Sequence, residues 1–184
     1  AAIGQTHLKR LLAYSSVAHM GYLLMALLAV RETGVQAVLF YAAVYALMDV
    51  GAFGAVGTLS ADDGDRDDLE DYRGLGYAQP WRAALLTTCL LSLAGLPPTA
   101  GLIGKFLLFK SAFQGGYVFL GLIGIVTAII SVYFYLKVVV RMYLVPAEVE
   151  PVAGPGAVLD GLAIAVVLLL IFGLGILPSP LLTI

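Results

Sequence analysis

The most informative part of the sequence is residues 91–106, which read LSLAGLPPTAGLIGKF. Gly95, Pro97 and Pro98 interrupt an otherwise apolar segment, because proline lacks a backbone N–H and clashes with the preceding helical turn. Lys105 follows in apolar surroundings, where a charge at bilayer depth costs at least about 2.5–3.5 kcal/mol. Broken helices near the membrane midplane are also where secondary transporters place ion sites. The stretch therefore predicts a broken membrane helix whose buried lysine serves ion or proton translocation.

The composition indicates the class of protein. Hydrophobic residues make up 61% and charged residues 12% of the 184 residues, against about 45–50% and about 25% in soluble domains. We therefore expect an integral membrane protein. A net charge of -2 without a basic stripe argues against a nucleic-acid partner. The single cysteine, Cys89, excludes a disulfide framework or a cysteine-based metal site within the chain.

Apolar windows of about 20 residues predict an all-α, polytopic membrane protein with five transmembrane helices. The spans are Leu8–Val30, Val35–Leu59, Trp81–Phe113, Tyr117–Leu144 and Val158–Leu177. The third is too long for one straight crossing at roughly 1.5 Å per residue. We expect the break at Gly95–Pro98 to divide it into two half-helices, and Pro178 and Pro180 to end the fifth span.

The basic residues predict the orientation, because cytoplasmic loops carry an excess of Lys and Arg. One side of the membrane receives Lys9, Arg10, Arg66, Arg73, Arg82, Lys137 and Arg141, and the other receives Arg31 and Lys110. The first side is predicted to be cytoplasmic, which places the C-terminus outside, in the periplasm if the membrane is a bacterial plasma (inner) membrane.

Two further features concern the ends and loops of the chain. The sequence begins without an initiator Met, and its first residues resemble the tail of a preceding helix, so we expect a piece of a longer protein. Residues 62–71 contain seven acidic side chains. A solvated loop is the favoured interpretation, and a cation-attracting vestibule or a docking surface is the alternative.

Three ionisable residues fall well inside the predicted spans. His19 lies about 15 Å from the cytoplasmic end, Asp49 about 21 Å and Lys105 about 14 Å from the outer end. All three are therefore expected near the middle of a hydrocarbon layer about 30 Å thick. Three polar stripes at helical spacing are expected to face the bundle interior: Ser15, His19 and Tyr22; Tyr41, Tyr45 and Asp49; Thr127, Ser131 and Tyr135.

Each of these residues has a structural alternative to proton transfer. The stripes could be hydrogen-bonding contacts between helices, worth about 0.6 kcal/mol each on average. Lys105 could form a structural ion pair or extend to the outer face. Asp49 could be a structural partner, and His19 a satisfied core histidine. The adjacent break in the helix favours a function for Lys105. A buried lysine also suits proton transfer because, unlike an arginine, it can exchange its proton.

Several motifs resemble the antiporter-like membrane subunits of respiratory complex I and of Mrp cation antiporters. They are LKRLLAYSSVAHMGY at residues 8–22, which is similar to a signature of that family, and the broken-helix stretch at residues 91–106. The segments YALMDVGAF (45–53), DYRGLG (71–76) and SVYFYLKVVV (131–140) are similar more narrowly to the subunit N branch, found in NADH:quinone oxidoreductase. The resemblance covers residues 5 to about 144 and continues loosely into the last span.

The resemblance implies a protein of fourteen helices with two inverted five-helix repeats. Residues 1–184 would be its C-terminal part, namely the second repeat from about its second helix and the final helix. Lys105 would be the terminal lysine of a central hydrophilic axis, which exchanges protons with the outer side. Lys9 occupies a position where the family also keeps a basic residue, and with His19 and Asp49 completes the set of candidate proton-transfer residues. Subunit N usually has an uncharged residue in place of Asp49, which could therefore be a counter-ion for Lys105.

The resemblance also implies cofactors and partners. The chain would be a proton-translocating subunit of an enzyme while holding no redox centre, since NADH, FMN, Fe–S clusters and quinone would belong to other subunits. Its partners would be the other membrane subunits of complex I, including sister antiporter-like subunits, and the lipid bilayer, with no nucleic acid. The alternatives are an Mrp-type Na⁺/H⁺ antiporter subunit and a membrane scaffold with a structural buried ion pair.

Overall fold

The computed structural model describes residues 2–28, 32–63, 68–146 and 158–177. Its α-helices are α1 (Leu8–Leu28), α2 (Glu32–Asp63), α3 (Leu75–Ala78), α4 (Pro80–Ala94), α5 (Ala100–Gln114), α6 (Val118–Leu144) and α7 (Val158–Ile176). Short 3-10 helices cover Ala2–Gly4 and Leu69–Tyr72. The described ranges form no β-strand, and the predicted all-α class is confirmed.

Three of the described helices have the length and apolar composition to cross a membrane. They are Leu8–Leu28, the Gly34–Thr58 part of α2 and Val118–Leu144. Helix α7 contributes a shorter apolar stretch, Gly161–Ile176, and α4 and α5 have 15 residues each. The predicted third span therefore consists of two short helices. The count of five crossings stays a prediction, and the predicted end of the last span at Pro178 and Pro180 lies outside the described residues.

Helix α4 ends at Ala94 in a glycine-dependent turn. Gly95 has a φ of 83°, a left-handed conformation that costs an L-residue with a side chain about 1–2 kcal/mol. The Gly95 N–H donates to the Ser92 carbonyl at 3.0 Å, and the Leu96 N–H donates to the Leu91 carbonyl at 3.0 Å. This pair of bonds is the Schellman arrangement of a helix C-terminus. It leaves the last two carbonyls of α4 for donors from elsewhere.

Helix α5 begins at Ala100 and packs directly against the end of α4. Gly101 permits this approach, because a Cβ atom there would lie 1.8 Å from the Ser92 carbonyl oxygen. The Gly101 N–H donates to Ser92 Oγ at 3.1 Å, which satisfies a first-turn donor that has no partner within the helix. Lys105 follows one turn later on α5, and this packing places it beside the end of α4.

Helix α7 packs across the interruption between α4 and α5. A Cβ atom at Gly175 would lie 2.2 Å from the Pro98 carbonyl oxygen, so glycine is required for this contact. Further along, Ile164 and Ile171 are buried, and Val167 lies near Gly51 of α2. The core of the bundle therefore contains the interrupted helix pair, which packs against α1, α2, α6 and α7.

One end of the bundle gathers basic residues that were predicted to share one side of the membrane. Glu70 pairs with Arg73 at 2.8 Å and with Arg141 at 3.1 Å, and Lys137 donates to the Gln5 carbonyl at 3.5 Å. Part of the acidic stretch is thus docked on the end of α6 while remaining exposed, and its residues 64–67 lie outside the described ranges. The side of the membrane that this end faces stays a prediction, and two residues used to predict it, Arg31 and Arg66, are also outside those ranges.

Candidate functional site

The Lys105 side chain is buried, with 4% exposed, and extends from α5 to the end of α4. Its Nζ donates hydrogen bonds to the carbonyl oxygens of Leu93 at 2.7 Å and Ala94 at 3.1 Å. These are the two carbonyls that the Schellman turn leaves without a helical partner, and the C-terminal end of a helix favours a cation. Lys105 therefore caps α4 with its ammonium group inside the bundle.

Two features of the structure require glycine at position 95, namely the turn and the space for the Lys105 side chain. Its positive φ ends α4, and a Cβ atom at this position would lie 3.1 Å from Lys105 Cδ and 3.6 Å from Nζ. Such a contact is tighter than most real Cβ contacts, so a side chain here would press on the lysine as well as strain the backbone. Glycine at this position gives the lysine room to reach the end of the helix.

His19 is 1% exposed and is held by a tyrosine hydroxyl at each ring nitrogen. Nδ1 lies 2.5 Å from the Tyr41 hydroxyl of α2, and Nε2 lies 3.0 Å from the Tyr135 hydroxyl of α6. A neutral imidazole has one donor and one acceptor nitrogen, and a hydroxyl can fill either role. The triad thus forms a continuous hydrogen-bonded chain across three helices, and reversing its direction requires only proton shifts and hydroxyl rotation.

The histidine stacks against two aromatic rings of α2. The Tyr45 ring stacks on His19 with centroids 5.1 Å apart, and the Tyr41 ring stacks at 6.0 Å. Gly104 of α5 makes space for Tyr41, because a Cβ atom there would lie 2.4 Å from the Tyr41 ring. The residue before Lys105 is thus a glycine that lets α2 and α5 bring the His19 cluster close to the lysine.

Tyr22 contacts both titratable groups. Its ring meets His19 edge-on at 5.7 Å between centroids, and Lys105 Nζ lies over the ring at 5.7 Å from its centroid. Both distances are within the range of aromatic and cation–π attraction. The Tyr22 hydroxyl donates to Thr127 Oγ1 of α6 at 3.3 Å. The structure therefore brings both His19 and Lys105 into contact with one tyrosine ring.

The predicted polar stripes largely face the interior. Ser15, His19 and Tyr22 of α1 and Ser131 and Tyr135 of α6 are buried, as are Tyr41 and Tyr45 of α2. The predicted interior position is confirmed for these seven residues, whereas Thr127 is exposed and Asp49 is partly exposed. Burial does not decide a role in proton transfer. Chemically, the arrangement offers one ammonium, one imidazole and several hydroxyls that can donate and accept protons.

The sequence left open whether Asp49 is a counter-ion for Lys105. No ion pair joins them among the described residues, because Lys105 Nζ turns to the Leu93 and Ala94 carbonyls instead. Asp49 is partly exposed on α2, and its carboxylate interacts with the Tyr45 hydroxyl one turn away. The sequence placed the two residues at one depth, and depth alone does not make them neighbours across the bundle.

Comparison with known proteins identifies the family. Residues 1–131, more than two thirds of the chain, match the family described as NADH:quinone oxidoreductase/Mrp antiporter, TM. The chain belongs to this family. The resemblance inferred from the motifs at residues 8–22 and 91–106 is confirmed.

Relatives of this family member include a curated protein from Solidesulfovibrio magneticus named NADH-quinone oxidoreductase subunit N 1. It is 52% identical over 187 aligned residues, which cover 98% of the chain and 40% of the relative. A subunit N from Geotalea uraniireducens is 46% identical, with 99% and 39% covered. The narrower similarity to subunit N is thereby confirmed. The chain spans about two fifths of the length of these relatives.

The fold of this family member also occurs in a solved structure. A chain of respiratory complex I from Thermus thermophilus, solved with bound aureothin, superposes with a TM-score of 0.81 at 37% identity. The match covers 99% of this chain and 41% of that one. The helical arrangement of this chain is thus similar to that of a chain of respiratory complex I.

Lys9, the remaining candidate, lies apart from the cluster in this family member. It is partly buried in the first turn of α1, ten residues and about 15 Å along the helix from His19. It has an interaction within the described structure. The structure thus brings together His19, Lys105 and the tyrosines, and leaves Lys9 and Asp49 at the margins.

Sequence reasoning missed the partners of Lys105. It considered a carboxylate as one possible partner, whereas the partners are backbone carbonyls of Leu93 and Ala94. The signal was present, because a helix that stops at Gly95 must leave carbonyls free and a lysine about ten residues later on the following helix can reach them. The close contact of Gly104 with Tyr41 was also not predicted, because nothing in the sequence around Gly104 indicates it.

Proposed function

We propose that this family member is the C-terminal part of a proton-translocating subunit N of NADH:quinone oxidoreductase, with Lys105 as its proton-exchanging residue. The observation that carries the proposal is the position of Lys105, whose ammonium lies inside the bundle on carbonyls at 2.7 and 3.1 Å without a carboxylate partner among the described residues. A buried ionisable residue in a membrane segment is a functional candidate by default. The names of the curated relatives support the choice of enzyme.

The proposal assigns residues 1–184 to the second inverted repeat, from about its second helix, together with the final helix. Helices α4 and α5 together would form one broken crossing, because each has 15 residues and spans only about 22 Å. With α1, α2, α6 and α7 this gives five crossings. The charged end at Glu70 and Arg141 would face the cytoplasm, and the C-terminus the periplasm.

In the proposed mechanism, Lys105 holds a proton while its ammonium rests on the two carbonyls. Releasing the proton turns the ammonium into an amine, which keeps two N–H donors but loses its charge. His19 is the acceptor on the inner side, since its ring nitrogens already share protons with Tyr41 and Tyr135. Asp49, next to Tyr45, and Lys9, at the start of α1, would extend the path beyond this cluster.

The chain itself would carry no electron. Oxidation of NADH would occur in other subunits of the complex, which hold FMN, Fe–S clusters and quinone, and would drive the proton movement from a distance. The partners would be those membrane subunits, including sister antiporter-like subunits, and the surrounding lipid of a bacterial plasma membrane.

Two alternatives remain to be separated by experiment. An Mrp-type Na⁺/H⁺ antiporter would transport Na⁺ without NADH. A scaffold role is favoured by one observation, namely that Lys105 caps α4 and so stabilises the interruption whether or not it exchanges protons. A helix-terminal charge interaction of this kind is worth up to about 2 kcal/mol when it is partly buried.

The test is Lys105→Ala in the full-length chain within the assembled complex, with proton uptake into inverted vesicles measured per NADH oxidised. Lys110→Ala is the matched control, because Lys110 lies on the same helix and is exposed. We expect strongly reduced pumping for Lys105→Ala and unchanged pumping for Lys110→Ala, with normal assembly of both. Undiminished pumping by an assembled Lys105→Ala complex would refute the assignment, and NADH-independent, Na⁺-dependent transport would support the antiporter.

A further inference from the structure

We propose that Tyr22 is a gate between His19 and Lys105, so that its ring must move before a proton passes between the two groups. This inference rests on the proton-transfer roles proposed above for His19 and Lys105. A third residue, Tyr22, would then control when His19 and Lys105 exchange a proton.

The first observation is the position of the ring. Tyr22 is 4% exposed. Its ring and the His19 imidazole form a T-shaped contact with centroids 5.7 Å apart, and the Lys105 ammonium lies over the ring, 5.7 Å from its centroid. Ring carbons neither accept nor release a proton under these conditions, so a ring packed against both groups blocks any proton path through the space it fills. Because a cation over an aromatic face is attracted to it, the same ring also holds Lys105 in place.

The second observation is a weak latch on the ring. The Tyr22 hydroxyl donates to Thr127 Oγ1 at 3.3 Å, which is long for a bond between hydroxyls, normally about 2.7–2.8 Å. Thr127 can act as the acceptor because its own proton goes to a backbone carbonyl of α6, at 2.9 Å for Gly124 and 3.0 Å for Ile123. The ring is therefore held in place by a bond that is easily broken and remade.

The third observation connects the ring to the helix that carries Lys105. The Phe109 ring packs edge-on against Tyr22 with centroids 5.7 Å apart, and Phe109 lies four residues after Lys105 on α5. Gly124 of α6 provides the space for this ring, since a Cβ atom there would lie 2.8 Å from Phe109 Cε1. A shift of α5 would therefore move Lys105 and displace Tyr22 in the same step.

The gated transfer moves one proton from Lys105 to His19. When the Tyr22 ring swings aside, water bridges Lys105 Nζ and the tyrosine hydroxyl that donates to the acceptor nitrogen of His19, and this hydroxyl gives its own proton to the nitrogen as it takes one from the water. One N–H bond of the ammonium breaks, the water passes one proton on, and one N–H bond forms on the imidazole. The pair keeps a single positive charge, now on His19 as an imidazolium that donates at both nitrogens.

The gate is tested with Tyr22→Ala in the full-length chain of the assembled complex. Two quantities are measured in inverted vesicles, namely NADH oxidation rate and protons moved per NADH. Removing the barrier should let protons equilibrate out of step with the reaction, so we expect NADH oxidation to continue while the ratio falls to half or less. Tyr133→Ala is the control, because Tyr133 is a tyrosine with 61% exposure on α6, and it should keep the ratio.

Two milder variants decide the matter if Tyr22→Ala does not assemble. Tyr22→Phe keeps the ring and loses the latch, and Thr127→Val loses the acceptor with nearly the same shape. Each should lower the ratio, and the double variant should lower it no further than either single change, since they break the same bond. An unchanged ratio in Tyr22→Ala, or in both latch variants, would overturn the gate.

If Lys105→Ala pumps normally, the proposed function itself fails, whereas a normal ratio in the Tyr22 variants with a defective Lys105→Ala rejects only the gate.

Discussion

The Lys105 ammonium lies 2.7 Å from the Leu93 carbonyl oxygen, so the residue proposed to exchange a proton is also the cap of a broken helix. The two roles are linked by charge. A protonated Lys105 is attracted to the partial negative charge at the end of α4, and a neutral amine loses that attraction. Proton release would therefore loosen the contact between α4 and α5, which gives proton transfer a structural consequence within the chain.

Gly95→Ala should destabilise the protein by about 1–2 kcal/mol, because alanine must adopt the left-handed φ of 83°. It should also lower pumping, since the added Cβ atom would lie 3.1 Å from Lys105 Cδ. Thermal unfolding of the purified full-length chain in detergent measures the first effect. Gly21→Ala is the control, because nothing lies within 4 Å of a Cβ atom at that helical position, and a destabilisation equal to that of Gly95→Ala would contradict the explanation.

Tyr135→Phe should slow pumping because it removes the hydroxyl that lies 3.0 Å from His19 Nε2. A buried polar atom left without a partner costs about 1–3 kcal/mol, or roughly a 5- to 150-fold change in an equilibrium. Steady-state proton pumping in inverted vesicles measures the effect, with exposed Tyr133→Phe on the same helix as control. Equal rates for Tyr135→Phe and the control would show that the His19 cluster is structural packing.

Asp49→Asn should lower the pumping rate several-fold without moving its pH profile. Asparagine cannot carry a proton, which accounts for the lower rate, and Asp49 makes no ion pair with Lys105, which accounts for the unchanged profile. The measurement is the pumping rate across a pH series for both proteins. A shifted profile would indicate that Asp49 acts on Lys105 electrostatically, and an unchanged rate would remove it from the path.

The sequence was sufficient to predict the helical class, the family and the burial of most residues of the polar stripes, although Thr127 is exposed. These follow from periodicity and from local motifs, such as the Gly95 and proline pair that precede Lys105. The partners across helices were harder to predict. Depth can be counted along a helix, whereas the choice between Asp49 and the Leu93 carbonyl as partner of Lys105 depends on helix rotation and spacing. Those depend in turn on close contacts such as Gly104 against Tyr41, which one sequence does not reveal.

The central claim is that Lys105 releases and regains a proton, and Lys105→Arg tests it most directly. Arginine keeps the charge and can donate to the end of α4, but it does not lose its proton at accessible pH. The measurement is protons moved per NADH by the assembled complex in inverted vesicles, beside Lys105→Ala and the wild type. We expect Lys105→Arg to pump as poorly as Lys105→Ala. Pumping at the wild-type ratio would contradict the account and show that Lys105 acts only as a structural cap.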